Sequence, residues 1–294
     1  MLNLVEKKIN ELINELDYEH IRKLYKKLPS GKKVRSKLIL KIANDKRAID
    51  LAAIIEMIHA ASLLHDDVID DADIRRGSPS INALFGNKTA IMLGDILYSK
   101  AFFELTKFQP NIAQIVSNAV ALLSIGEMMD VELSKSFNSD IEKYLDMIYK
   151  KTASLIEASA KSAAILANKD SKVYELYGKN LGLAFQIVDD ILDVVSDTKT
   201  LGKPAMNDLR EGKTTLPYIY LYNSLDEKNQ KRLLSLFKKD LNEKEKAWIK
   251  EKIKENNSIE KSKNYAKKLG FEAMKLVKEK ELQEIIQNVI ERDY

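Results

Sequence analysis

The sequence contains no cysteine. That absence excludes disulfides, zinc thiolates and cysteine nucleophiles, and it is compatible with a reducing cytoplasm. Only 10 Gly and 5 Pro occur in 294 residues, and they are scattered, so no stretch reads as a flexible linker. Internal repeats and low-complexity tracts are absent. No uninterrupted apolar run reaches about 18 residues, so no transmembrane segment is expected. The opening "MLNLVEKKINELINELD" is a charged amphipathic helix without the apolar centre of a signal peptide, and the expected location is cytoplasmic. Net charge is a modest +4. In "KEKAWIKEKIKENNSIEK" lysines alternate with glutamates and aromatic interleaving is missing, which describes a solvated helical face; no nucleic-acid partner is expected.

What is present is a helical pattern. With 45% hydrophobic and 31% charged residues the chain can bury a large core and remain soluble. In "IDLAAIIEMIHAASLLHDDVID" apolar residues occupy most of the helix surface, which predicts a helix buried in the middle of the protein. Asn111 to Phe137 and "YGKNLGLAFQIVDDILDVVSD" have the same character. Alternation of the β type is absent, and breaks fall at "LPSGKK", "RRGSPS", "FQPN", "TLGKPAMND" and "TTLPY". The expectation is an all-α protein, one domain over 1–294, with ten or more helices around a helical core.

Two acid clusters interrupt those apolar helices. "HDDVIDDADIRRG" places Asp66 and Asp70 four residues apart, one helical turn along the same face, with Asp67 about 100° round. "VDDILDVVSD" repeats the spacing with Asp189, Asp190 and Asp193. One DDxxD pattern is weak, because aspartates commonly sit on solvated helix ends. Two at the same spacing, each at the C-terminal end of an apolar helix, call for a cation, since crowded carboxylates otherwise take up protons. An EF-hand fits poorly, because the glycine falls one place late and the context is helical. Carboxylate oxygens without His or Cys select a hard ion, and Mg2+ in particular bridges carboxylates to substrate phosphates.

Basic residues near the clusters complete a phosphate chemistry. Arg75 and Arg76 can grip phosphate oxygens in bidentate fashion. Lys32 and Arg35 lie in "SGKKVRS", Lys151 and Thr152 in "KKTASLIEAS", and Lys203 and Lys213 flank the loop after the second cluster. Lys213 reads equally well as a surface lysine.

From about Gly31 to Pro217 the chain resembles the trans-type polyprenyl diphosphate synthases. "HDDVIDDADIRRG" is similar to that family's first aspartate-rich motif and "GLAFQIVDDILD" to its second. "GKKVRS" is similar to its GKRxRP, "GDILYSKAF" to its GD-x-LY-x-x-AF, and "KTASL" to its KT motif. Lys33 stands for a usual arginine and Ser36 for a usual proline, departures that bear on the stiffness of the loop and not on its two cationic positions. The resemblance implies an isoprenoid synthase-like helical bundle around an apolar tunnel. It implies Mg2+-dependent head-to-tail condensation of isopentenyl diphosphate with an allylic diphosphate. Asp66, Asp67, Asp70, Asp189, Asp190 and Asp193 would hold the metals. Arg75, Lys151, Thr152, Gln186, Lys203 and Lys213 would contact the allylic diphosphate, and Lys32, Arg35, His59 and Arg76 would bind isopentenyl diphosphate. A lone His in an apolar helix can also be a satisfied core residue. The resemblance further implies a homodimer through the apolar helix beginning near Asn111, and transient membrane contact as the product is released.

Product length rests on "HAASLLHDD". In that family the residues four and five places before the first motif face the growing hydrocarbon, and here they are Ser62 and Ala61, both small. The expected product is therefore of the hexaprenyl to octaprenyl class, a precursor of quinone side chains, unless a block lies deeper among Leu122, Leu123 and Met129. The alternatives are a short-chain farnesyl or geranylgeranyl diphosphate synthase and a catalytically silent synthase subunit. A terpene cyclase would share only the first cluster, and a helical binder of acidic ligands would leave the aspartates unexplained.

Overall fold

A computed structural model of the chain describes residues 1–29, 31–195 and 206–291, and it is all-α as the periodicity predicts. In chain order the helices are α1 (Leu2–Asn14), α2 (Glu19–Tyr25), α3 (Val34–Ile42), α4 (Lys46–Ile69), α5 (Ile81–Phe85), α6 (Asn87–Leu105) and α7 (Pro110–Leu133). There follow α8 (Ile141–Ile148), α9 (Ser154–Leu166), α10 (Ser171–Val195), α11 (Asn207–Glu211) and α12 (Leu216–Ser224). The chain closes with α13 (Glu227–Leu236), α14 (Glu243–Glu255), α15 (Ser258–Leu276) and α16 (Lys280–Ile290). Two compact units emerge, one of Met1–Val120 with Glu157–Glu175, the other of Ala121–Ile156 with Leu176–Tyr294.

The first unit is organised on α4, against which α1, α3 and α6 pack. Asp45 caps α4 by accepting from the Ala48 N–H at 2.8 Å. The helix is apolar almost all round because it is buried almost all round: Leu51, Ala52, Ala53, Ile54 and Ile55 are consecutive core residues. Each fully buried Leu or Ile there contributes about 1.5–3 kcal/mol. Close approach of α6 depends on Gly94, since a Cβ there would lie 2.3 Å from His65 Nε2.

After α4 the chain makes one small hairpin, β1 (Ile74–Arg75) against β2 (Ser78–Pro79). Its two-residue loop, Arg76–Gly77, has both φ angles positive, +53° and +74°, the requirement of a type I′ turn. Strands of two residues carry no alternation, so the sequence reading found no β structure here. The turn fixes Arg75 and Arg76 beside the first acid cluster.

In the second unit the core gathers Val194, Leu209, Tyr218, Leu221, Leu233, Trp248, Ile249 and Ile253. The lysine- and glutamate-rich α14 buries only Trp248, Ile249 and Ile253 and begins with a capping box of Asn242 and Glu245. Between α8 and α9 the chain widens into one π-turn, Tyr149–Ala153. Two glycines make room for it. A Cβ on Gly126 of α7 would stand 2.2 Å from Lys151 N, and one on Gly182 of α10 would stand 2.6 Å from Ala153 Cα. Single π-turns of this kind concentrate at functional sites, and this one carries Lys151 and Thr152.

The expectation that no segment is apolar enough to cross a membrane is corrected in one respect. Lys46–Ile69 and Pro110–Leu133 are both long and apolar enough by composition once an occasional polar residue is tolerated. Most of the first is buried, as a core helix should be, whereas the apolar stretch of Pro110–Leu133 is only 39% buried.

Candidate active site

The first acid cluster lies at the C-terminal end of α4. Asp66 is half-buried in its last turn, and Asp70 is the C-cap, its N–H donating to Asp66 O at 2.8 Å, so the two stay one turn apart. Asp67 is turned inward and is 4% exposed. Its Oδ1 accepts from Arg75 Nε at 2.5 Å, and its backbone carbonyl accepts from Asn82 Nδ2 at 3.2 Å. Burial pushes the Asp67 carboxyl up and Asp70 adds to this, against the opposing pull of Arg75. Arg75, read from the sequence as a diphosphate ligand, is thus also the internal counter-ion of the cluster.

A group of cations stands beside it in the same unit. Arg35 is in the first turn of α3, and burial lowers its guanidinium to about 10, with Glu56 opposing that shift and Arg76 adding to it. Arg35 Nε is buried and has no hydrogen-bond acceptor among the described residues. Arg76, exposed on the hairpin turn, reaches back to donate to Pro29 O at 3.2 Å, and its guanidinium covers Gly31 so closely that a Cβ there would meet it at 2.4 Å. His59 is half-buried, and burial followed by Arg35, Arg76 and Arg75 pushes its imidazole well below the usual histidine range. It lies among the arginines and is not a core histidine remote from charge. Lys32 is exposed on the loop, and Lys33 beside it is held in the left-handed region at φ +50° and paired with Glu6. Four positions read from the sequence as one subsite therefore belong to the first unit, and three of them, Arg35, His59 and Arg76, share one electrostatic neighbourhood.

The second cluster lies near the C-terminal end of α10. Asp189 is half-buried, while Asp190 and Asp193 are 6% and 2% exposed. Asp190 accepts from Tyr144 Oη at 2.6 Å and from Gln186 Nε2 at 2.8 Å. Gln186 Oε1 in turn accepts from Thr152 Oγ1 at 2.7 Å, so the π-turn and the acid cluster are joined by one chain of hydrogen bonds. Asp193 Oδ2 accepts from the Asp208 N–H at 3.1 Å. Burial raises the Asp190 carboxyl well above its usual value, and the nearby charges of Asp208 and Asp189 raise it further.

Lys151 is held between two buried acids of α7, Glu127 at 2.8 Å and Asp130 at 2.5 Å. Lys213 pairs with Glu211 at 2.9 Å. Lys203 lies outside the described residues. The sequence reading missed Glu56, Glu127, Asp130, Tyr144 and Asp208. For Glu127 and Asp130 the signal was present, since both interrupt an otherwise apolar helix as the DDxxD acids do.

The donor set suits a hard divalent ion. All candidate ligands are carboxylates, and in each cluster burial, with like charge adding to it, raises one acid, Asp67 or Asp190, as expected where a cation is to be shared. Among the described residues no three acidic or histidine side chains converge on a single point. Mg2+ needs no such cage, because it is commonly held by one or two carboxylates with phosphate oxygens and water.

Comparison with known proteins agrees with these features. Residues 18–255 match the Polyprenyl synthetase family. Octaprenyl pyrophosphate synthase from Helicobacter pylori is 48% identical, with a TM-score of 0.94 over 98% of each chain. Geranylgeranyl pyrophosphate synthetase from Pyrococcus horikoshii is 34% identical, with a TM-score of 0.91 over 99% of this chain and 96% of that one. A short chain isoprenyl diphosphate synthase from Methanocaldococcus jannaschii is 39% identical over 219 residues, 70% of this chain and 67% of that protein. With paired DDxxD clusters, clustered arginines and a family match across most of its length, the chain belongs to the polyprenyl synthetase family and is a trans-prenyltransferase.

Proposed function

We propose that this trans-prenyltransferase condenses isopentenyl diphosphate head to tail with an allylic diphosphate in the presence of Mg2+, to give a product of the hexaprenyl to octaprenyl class. The supply of quinone side chains is the use proposed for so long a product. Asp66 and Asp70 with Asp67, and Asp189 with Asp190 and Asp193, are the residues that would hold Mg2+ for the allylic diphosphate. Bound Mg2+ supplies positive charge to the leaving diphosphate, which favours ionisation of the allylic C–O bond. Lys151 and Thr152, presented by the π-turn, and Gln186, tied to Thr152, contact that group on the protein side, as does Arg75, with Lys203 and Lys213 completing the set. Arg35, Arg76, Lys32 and His59 hold the isopentenyl diphosphate by its anionic end, so that its double bond is positioned to attack the allylic carbon. A new C–C bond forms, one proton leaves the isopentenyl unit, and the released diphosphate accepts it.

The observation that carries the length assignment is the size of Ala61 and Ser62, one turn before the first cluster. Both are buried on α4, Ser62 Oγ donates to His59 O at 2.9 Å, and neither side chain carries bulk of its own. The similarity to an octaprenyl synthase supports the same reading. A short-chain product is the second reading, favoured by the names of the Pyrococcus and Methanocaldococcus relatives. Chromatography of the products from isopentenyl diphosphate, farnesyl diphosphate and Mg2+ decides between them: products of the hexaprenyl to octaprenyl class support the first, and arrest at geranylgeranyl diphosphate overturns it.

A homodimer is part of the proposal. Ile125, Met128 and Val131 on α7 are 46%, 65% and 42% exposed, an apolar face that a second copy would cover. Sedimentation should give twice the monomer mass, and a monomer at all concentrations would contradict it.

A further inference from the structure

Glu56 sits on α4 one turn before His59, with its carboxylate directed at the start of α3. Its Oε1 accepts two hydrogen bonds from one residue, Ser36 Oγ at 2.7 Å and Ser36 N at 3.3 Å. Ser36 is fully buried in the first turn of α3, beside Arg35. The same carboxylate is the anionic neighbour of Lys33, Arg35, Arg76 and Tyr25; burial first, and then the Glu56 charge, push the Tyr25 phenol up to about 12.

An anion among cations that are to receive a diphosphate works against binding by charge alone. Its geometry gives it another task. First-turn N–H groups of a helix have no intrahelical partner, and the N-cap of α3, Lys33, offers no side-chain cap. Glu56 supplies the acceptor from the neighbouring helix and so fixes the turn on which Arg35 is mounted. Ser36 occupies the place where the sequence motif usually carries a proline. A proline would stiffen this turn through its ring, whereas here a side-chain hydrogen bond restrains it.

We infer that Glu56, acting through Ser36, is a positioning residue for the isopentenyl diphosphate subsite, holding Arg35 in the orientation that receives the diphosphate. This rests on the assignment of Arg35, His59 and Arg76 to that substrate. Glu56 does not touch the reacting atoms. Its loss is felt as a weaker hold on one substrate, with the chemical step retained.

The test is steady-state kinetics with each substrate varied in turn, on Glu56→Ala, Glu56→Gln, Ser36→Ala and Arg35→Ala. Glu56→Ala should raise KM for isopentenyl diphosphate about tenfold or more, the scale of one lost charge-assisted hydrogen bond. KM for the allylic substrate and kcat should stay within about twofold, the split expected when uniform binding is lost. Glu56→Gln keeps an acceptor for Ser36 Oγ and should recover most of the loss. Ser36→Ala removes that bond without stranding a buried charge and should shift the same KM in the same direction, even where Glu56→Ala fails to fold. Equal loss for both substrates in Glu56→Ala and Ser36→Ala, or no change in KM for isopentenyl diphosphate, overturns the inference. Arg35→Ala separates the two levels: if it leaves that KM unchanged, the subsite assignment itself is wrong.

Discussion

Tyr144 Oη donates to Asp190 Oδ2 across 2.6 Å, while Gln186 Nε2 donates to the other oxygen of the same carboxylate. Tyr144 and Asp190 are 1% and 6% exposed. A buried acid with both oxygens engaged has one orientation, and a carboxylate that is to meet a metal gains from being held so. Tyr144→Phe removes one donor and leaves the volume unchanged. Such supporting hydrogen bonds are worth roughly 10–100-fold in metal affinity or activity. The Mg2+ concentration for half-maximal turnover should therefore rise by about tenfold or more; an unchanged Mg2+ dependence would remove Tyr144 from the site.

His59 predicts a pH dependence of stability. Its folded pKa is depressed, first by burial and then by Arg35, Arg76 and Arg75, while Glu56 lies one turn away on the same helix. The unfolded chain thus binds the proton first as pH falls, below about 6.5. The stability this group contributes is complete above that pH and is lost as pH drops toward the folded value, at up to about 1.4 kcal/mol per pH unit. In denaturant titrations, His59→Gln should flatten the slope of unfolding free energy between pH 6.5 and 5. An identical slope in wild type and variant would mean that His59 titrates normally.

Product length is tested at Ala61 and Ser62. A phenyl ring at either position should end elongation early and shift the product to farnesyl or geranylgeranyl diphosphate. Overpacking a buried helix costs about 1–3 kcal/mol, so the comparison is made on variants that retain the helical circular dichroism signal. An unshifted product distribution from a folded, active Ser62→Phe enzyme would place the length-setting residues elsewhere.

Much of the site was legible because an acid that interrupts an apolar helix is costly to bury without a cation beside it. Asp66, Asp70 and Asp189 were singled out as candidates by that signal, and the all-α fold was read from helical periodicity. What could not be read were partners distant in sequence: Tyr144 lies 46 residues from Asp190, Glu56 lies 20 from Ser36, and no spacing rule joins them. The Arg76–Gly77 turn was visible only as a break, since two-residue strands have no period. The division into two compact units has no marker in the sequence either, because its boundaries fall inside α7, α9 and α10 and not at a glycine or proline.

The central claim is that the paired carboxylate clusters serve a metal-dependent condensation. It is tested most directly by incorporation of labelled isopentenyl diphosphate into extractable product, with Mg2+ and with excess chelator, for wild type, Asp66→Ala and Asp189→Ala. Wild type should form product with Mg2+, none with chelator, and product again when Mg2+ is restored. Each variant should lose turnover by orders of magnitude with its helical signal intact, since several kcal/mol of charge stabilisation go with the metal. Undiminished incorporation in chelator, or near-normal turnover in either folded variant, would contradict the account.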